Sequence, residues 1–507
     1  LEYKDNQKLT FNESINLLKG DTLPVSSFIK NKEGIFEGTT TKEEKRNIAE
    51  EVPCWISENC IECNQCAFSC PHGVIRPFLL DKKDSKVESI PSLLPKDKEF
   101  TIGINYEECT GCGVCTLACP GKLGKKALEM VPNKDKENNF EYLLKNNVND
   151  KYQSNLLTVK NVSFKEPKFE YSGACAGCGE TPYITNLTRV FNDNLMIANA
   201  TGCSSIYSGS VPSMPYSIPW ASSLFEDNTE YGYGILQGIN IKRDKIKKYM
   251  KEYPRNKLFK KWIENMDNYD ICKEVKENID YKKHPYLNDM KDYILPKQLW
   301  VLGGDGFAYD IGYGGLDHVL SKKDNINILV LDTEVYSNTG GQSSKSSNIG
   351  SVASFTSNGK DNYKKDLARI AMCYPHVYVA SVNIGYNKEQ YLKAIKEASL
   401  HNGPSLIIAY SPCIEHGIKT GMQHSQSNGY LATKCGYFLT FRYNPDTKKF
   451  SLDSKEPEFD KYEDYLMTEN RFASLVRKDK ERARLLLEEQ KQWAIDRYNY
   501  YKKISEE

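Results

Sequence analysis

Two cysteine runs constrain this chain more than any other feature: Cys60-x2-Cys63-x2-Cys66-x3-Cys70-Pro71 and Cys109-x2-Cys112-x2-Cys115-x3-Cys119-Pro120. In such a run three close thiolates hold one [4Fe–4S] cube, and the fourth, ahead of a proline, reaches across to the other cube. The spacing assigns Cys60, Cys63, Cys66 and Cys119 to one cluster, and Cys109, Cys112, Cys115 and Cys70 to the second. Zinc ribbons use two CxxC pairs or interleaved histidines, not four cysteines per run repeated at one spacing. Half of the 16 cysteines lie in these runs, where only reduced thiols serve, so the chain belongs in a reducing, low-oxygen interior.

At 507 residues the chain exceeds the roughly 250–300 residues at which single cores stop growing, so at least two units are expected. Lys and Arg number 68 against 67 Asp and Glu, a net charge of +1 that draws in neither nucleic acid nor an anionic membrane. No stretch approaches the roughly 18 consecutive apolar residues of a membrane helix. The start, LEYKDNQKLT, lacks a basic-then-apolar signal segment. A soluble, cytoplasmic protein is expected, with a hydrogenosome-like organelle as the other compartment; a first residue other than Met reads as a processed or partial chain.

Residues 1–50 read as a connecting segment and 51–132 as a small ferredoxin-like α+β domain, with IRPFLL and EFTIGINYEEC as its strands. Metal rather than apolar area stabilises such a domain. Residues 133–167 are polar and read as a linker. Residues 168–507 alternate short apolar runs (299–302, 326–331, 377–380, 406–410) with helical segments, which predicts a doubly wound α/β domain with a covered parallel sheet. The Lys-rich insertion at 241–298 reads as a solvated helical face, because acidic residues return at once in IENMDNYD. The tail from Asn470 to Ile504 is predicted to be one long amphipathic helix.

Ligands of open parallel sheets bind beyond the carboxyl ends of the strands, where Gly304-Asp305-Gly306 and the segment Asp332 to Thr339 fall. A glycine-flanked aspartate lets backbone approach a diphosphate while its carboxylate holds Mg²⁺, which needs few protein oxygens besides phosphate and water. Thr333 and the Val335 carbonyl complete the set. A lone GDG is more often an ordinary turn. The 28-residue separation of Asp305 and Thr333 is the spacing of the thiamine-diphosphate fold motif.

SGACAGCGETP (from Ser172), NATGCSS (from Asn199), SLFED (from Ser223), GGDGFAYDIGYGGLDHVL and DTEVYSNTGGQSSK follow the cluster domain and its lead-in EKRNIAEEVPCW. Together they resemble the pyruvate:ferredoxin (flavodoxin) oxidoreductases. Those enzymes are about twice as long, and what is present resembles their carboxyl-terminal half. The resemblance implies a third [4Fe–4S] cluster on Cys175, Cys178, Cys203 and Cys413; of these only the CxxC pair is suggestive by itself, since isolated cysteines are more often core thiols. It implies cofactor contacts from Glu180 and Cys203, a diphosphate lining of Gly304, Asp305, Gly306 and Phe307, and Mg²⁺ on Asp305, Thr333 and Val335. The stretch Thr333, Glu334, Val335, Tyr336, Ser337, Asn338 would close the pocket, with Asn338 as the catalytic-site amide. Cys54, Cys272, Cys373 and Cys435 are left as ordinary thiols, and His318 and His424 without a role.

The implied activity is oxidative decarboxylation of pyruvate to acetyl-CoA, with single electrons leaving through three clusters to ferredoxin or flavodoxin. A homo-oligomer is expected. The carboxylate that activates the cofactor's aminopyrimidine, and the grip on pyruvate and coenzyme A, are expected in amino-terminal domains on the same or a separate chain. The alternatives are an electron-transfer module alone and an oxidoreductase for another 2-oxo acid.

Overall fold

The computed structural model describes residues 9–31, 36–134, 138–152, 154, 156–209 and 213–506. Two compact units emerge: Leu1–Arg189 with Ser205–Ser217, and Val190–Ser204 with Ile218–Glu507.

In the first unit the internal repeat of the sequence becomes a repeat of backbone. Glu62 and Asn64 in the first cysteine run and Gly111 and Gly113 in the second take left-handed conformations at equivalent places. Each pair opens a one-turn helix, Gln65–Ser69 and Val114–Ala118, carrying Cys66 and Cys115. Cys70 and Cys119 stand just past the helices in extended backbone, where the following proline disfavours further helix. Strands β1 (Glu51–Trp55) and β5 (Leu128–Pro132) form an antiparallel pair, and β2 (Ile75–Leu80), β3 (Ile90–Pro91) and β4 (Glu99–Ile104) a second sheet in the order β2-β4-β3. The core of this unit gathers Val52, Ala67, Phe100 and Ile102 with several of the cysteines.

The expected linker is structured. Helices Phe140–Asn146 and Val159–Phe164 bury Phe140, Leu143, Val159 and Val162, and Phe140 meets Phe78 edge-on at 5.7 Å. Asn149 donates to the Pro77 carbonyl at 3.0 Å and accepts from the Leu79 amide at 2.8 Å. An Asn- and Lys-rich composition masked four apolar residues at helical spacing. The unit also reaches past the expected boundary at 168: Phe169 bridges to Tyr216, and Tyr171 is buried among the residues of the cluster domain.

In the second unit eight strands form one sheet. With β6 (Leu195–Asn199), β7 (Trp220–Ser222), β8 (Gln298–Gly303), β9 (Asn327–Asp332), β10 (Tyr378–Val382), β11 (Ser405–Tyr410), β12 (Phe441–Asn444) and β13 (Lys449–Leu452), the order is β13-β12-β10-β11-β9-β8-β6-β7. The six strands from β10 to β7 run parallel, and β12 and β13 add an antiparallel edge. Every residue of β9, β10 and β11 is buried, as strands covered on both faces require.

The Lys-rich insertion folds into helices Asn228–Lys251, Lys257–Glu264, Tyr269–Asn278 and Pro285–Asp289 around a core of its own with Trp262, Phe259 and Cys272. The tail is two helices rather than one, Asn470–Lys478 and Lys480–Glu506. Asp479 between them is extended, and its carboxylate accepts from the Arg482 amide at 3.0 Å, capping the second helix. Among the described residues no helix is long and apolar enough to cross a membrane.

Candidate functional site

Thiols of the two runs neighbour one another in the first unit. The thiol of Cys66 is buried and pushed well up, with Cys63, Cys60 and Cys119 adding their repulsion. That of Cys109 is raised to about 12 by burial, then by Cys70 and Cys112. Burial likewise lifts Cys112 to about 11, with Cys70 the next contributor. Cys119 is thus an electrostatic neighbour of Cys66 in the other run, and Cys70 of Cys109 and Cys112. A cavity is lined by Cys60, Cys63, Cys66 and Cys119 together with Trp55 and Leu128. Buried thiols with raised pKa values gain from binding iron, which takes them as thiolates and supplies the missing positive charge. Among the described residues no three His, Cys, Asp or Glu side chains are close enough to hold one metal ion. A zinc centre would draw four thiolates to about 2.3 Å from one point, whereas a cube spreads them over its corners.

The lead-in EKR clasps this region. The Lys45 amide donates to Glu108 at 3.1 Å, beside Cys109, and Arg46 donates to the Tyr171 and Ser172 carbonyls at 2.9 and 3.0 Å. Nothing in the composition of residues 1–50 signalled this; only the tripeptide itself could have.

The second unit gathers its candidate residues at the carboxyl ends of four neighbouring strands. β6 leads to Cys203, β8 to Asp305, β9 to Thr333 and β11 to Cys413. Asp305 is buried; its Oδ2 accepts from Ser344 at 2.6 Å, and its Oδ1 has no hydrogen-bond partner. Burial and the nearby Asp332 push its carboxyl well up. A buried carboxylate with one oxygen free of hydrogen bonds suits a metal ion. The hydroxyl of Thr333 donates to the Val335 carbonyl at 2.9 Å. Asp305, Thr333 and Val335 are hard oxygen donors, the kind that Mg²⁺ takes.

Glu334 departs from expectation. It takes a left-handed backbone, φ 59°, and its carboxylate is fully engaged: Lys364 at 2.7 Å, Arg471 at 2.8 Å, Asn348 at 2.9 Å and the Tyr437 hydroxyl. Although burial opposes it, Lys364 and Arg471 pull this carboxyl down to about 2. Glu334 offers a ligand only its backbone; its side chain fixes the shape of the loop. Phe307 likewise has a fully buried ring, which fills the space where a Cβ on Gly303 would lie 2.5 Å from it. Gly306 is forced by contact: a Cβ there would lie 1.9 Å from the Glu226 carboxylate. Tyr336 and Ser337 are half-buried and Asn338 is exposed at the turn. The Cys203 sulfur lies 3.5 Å from the Ser337 hydroxyl.

His416 was not singled out by its sequence position. Its Nε2 meets the Thr333 carbonyl at 2.7 Å, its Nδ1 accepts from the Cys413 amide at 3.4 Å, and its own amide donates to the Cys413 sulfur. The accepting Nδ1 fixes the Nε2–H tautomer. Burial holds the ring neutral, its pKa lowered to about 3. One imidazole thus ties the loop of Thr333 to the loop of Cys413. Cys175 and Cys178 lie in the first unit, as does Glu180; Cys203 and Cys413 lie in the second. Glu180 is buried, raised to about 7 by burial, and accepts from Tyr207 at 2.8 Å.

Residues 59–123 match the 4Fe-4S dicluster domain family, and residues 292–409 match the C-terminal TPP binding domain of thiamine pyrophosphate enzymes. Residues 11–49, read above as a connecting segment, match EKR, a domain of unknown function. The chain therefore carries a 4Fe-4S dicluster domain and a thiamine pyrophosphate binding domain. It is 44% identical over 538 residues to the pyruvate:ferredoxin oxidoreductase of Moorella thermoacetica, covering 97% of this chain and 45% of that one. Over 535 residues it is 41% identical to the pyruvate-flavodoxin oxidoreductase of Klebsiella pneumoniae, covering 98% of this chain and 45% of that one. With the pyruvate dehydrogenase [NADP(+)] of Cryptosporidium parvum the identity is 38%, covering 97% of this chain and 29% of that one. The chain is thus a homologue of the pyruvate:ferredoxin and pyruvate-flavodoxin oxidoreductases, and it spans about half the length of these two relatives.

Proposed function

We propose that this chain is the cofactor-binding and electron-relay part of an enzyme that oxidatively decarboxylates pyruvate to acetyl-CoA and carbon dioxide and passes single electrons to ferredoxin or flavodoxin. The observation that carries the proposal is the pairing, in one chain, of two neighbouring cysteine runs with an Asp305, Thr333 and Val335 donor set at the carboxyl ends of β8 and β9. Thiamine diphosphate supplies the electron sink for decarboxylation when bound. Asp305, Thr333 and Val335 would hold Mg²⁺ against its diphosphate, and the backbone of Gly304 and Gly306 allows close approach. Ser337 and Asn338 lie on the same loop, and Asn338 would donate to substrate. Cys175, Cys178, Cys203 and Cys413 would hold a third cluster, an assignment that rests on the resemblance.

Glu334 cannot activate the aminopyrimidine, because Lys364 and Arg471 already claim its charge. That carboxylate would come from amino-terminal domains, on the same or a separate chain, together with the sites for pyruvate and coenzyme A. In a radiolabelled carbon dioxide release assay under strict anaerobiosis, the chain alone should be inactive. Adding the amino-terminal domains of a relative should restore pyruvate- and coenzyme A-dependent reduction of ferredoxin. Turnover by the chain alone would overturn this division of labour.

A further inference from the structure

Arg189 is fully buried, and its position is unusual for a cation. It lies on the helix Thr181–Phe191, within the first unit. One guanidinium nitrogen donates to the Ala67 carbonyl at 3.1 Å and to the Asn186 side chain at 3.0 Å, while Nε and the other terminal nitrogen have no hydrogen-bond partner. Among the described residues no carboxylate pairs with it. Its neighbour Arg76 is already matched by Glu170. A buried guanidinium without a counter-ion is among the costliest groups in a protein interior.

Arg189 reaches the backbone between two cysteines. Ala67 lies on the one-turn helix Gln65–Ser69 between Cys66 and Cys70, one cysteine from each expected quartet. Asn186, one turn earlier on the same helix as Arg189, donates to the Phe68 carbonyl at 2.8 Å. The thiols of Cys66 and Cys70 interact electrostatically with the guanidinium and favour its charge, against the effects of burial and of Arg76. Its pKa, lowered to about 9, still leaves it cationic at neutral pH.

We propose that Arg189 is the internal counter-ion of the dicluster domain, and that its charge raises the reduction potential of the clusters held through Cys66 and Cys70. The inference rests on the reading of the two thiol quartets as ligands of [4Fe–4S] clusters. A cube bound by four thiolates is an anion, and each one-electron reduction adds further negative charge. A fixed cation alongside therefore stabilises the reduced form more than the oxidised form. Net charge, hydrogen bonding and burial are the levers that set such potentials, and Arg189 acts through the first.

The test is an anaerobic redox titration of the full chain, reduced with dithionite and followed by electron paramagnetic resonance, with iron counted in parallel. Arg189→Gln removes the charge and Arg189→Lys keeps it without the planar fork. At least one cluster in Arg189→Gln should become harder to reduce by tenfold or more, a fall of about 59 mV for one electron, while Arg189→Lys stays near the parent. Unchanged potentials in an iron-replete Arg189→Gln would overturn the proposal, and so would equal shifts in both variants, which would indicate packing. Should the glutamine variant lose iron, Arg189→Met offers an apolar replacement of similar volume. Loss of iron from both neutral variants but not from the lysine variant would support the charge role; loss from all three would overturn it. A parent chain that takes up no iron would remove the cluster reading and the proposal together.

Discussion

The two units hold their functional residues by opposite means. In the first, the candidate ligands are themselves core: Cys66, Cys70, Cys109, Cys115 and Cys119 are buried, and their sheets have only two and three strands. In the second, an eight-stranded sheet buries every residue of β9, β10 and β11, and the candidate site is a set of loops fastened at its carboxyl edge by Lys364, Arg471 and His416. A cofactor in the first unit is part of the fold; in the second it is a guest. This contrast can be tested directly.

The largest effect expected is from iron removal. Chelation after oxidative destruction of the clusters should expose the first unit to protease throughout residues 51–132, because buried, repelling thiols would lose the ion that compensates them. The sheet from β6 to β13 should persist, seen as protease-resistant fragments beginning near residue 190. Simultaneous collapse of both units would abolish the contrast. Within the first unit, Cys60→Ala should lower the iron of anaerobically purified protein by about four atoms, one cube, and leave thiamine diphosphate binding unaffected by calorimetry. The full complement is expected to be about twelve iron atoms for three cubes. A count near eight would remove the third cluster.

Next in size is Asp305→Ala. It should leave the second unit folded and weaken Mg²⁺-dependent thiamine diphosphate binding by tenfold or more, since one of three protein oxygens and the only carboxylate of the set is lost. Unchanged affinity in a folded variant would reduce Asp305 to a turn residue. The smallest and sharpest comparison is at His416. His416→Gln can still donate toward the Thr333 carbonyl, whereas His416→Asn can only mimic the accepting Nδ1 toward Cys413. Hydrogen exchange measured by mass spectrometry across residues 333–342 should rise several-fold in the asparagine variant and remain near parent in the glutamine variant. Equal exchange in both would show that the imidazole merely fills space.

Much of this organisation was legible in the chain itself. The cysteine spacing pointed to a dicluster domain, which the family match over residues 59–123 bears out, because three close thiols and one distant thiol, repeated, suit few other metal sites. Apolar runs placed β8, β9, β10 and β11 to within a residue or two, since strands covered on both faces leave an uninterrupted apolar signature. The spacing of Asp305 and Thr333 brought two loops to one edge. What composition could not show was burial of polar side chains. Phe140 and Val159 were hidden among Asn and Lys, and Asp479 broke a pattern that read as one helix. The carboxylate of Glu334 belongs to Lys364 and Arg471, residues 30 positions or more away, and the tautomer of His416 is set by Thr333 and Cys413 on different strands. Arg189 is buried where, among the described residues, no carboxylate pairs with it. Short-range spacing limits which residues can share a metal, because three of four expected ligands lie together in one run. Which charges meet in the interior is decided only when distant segments pack.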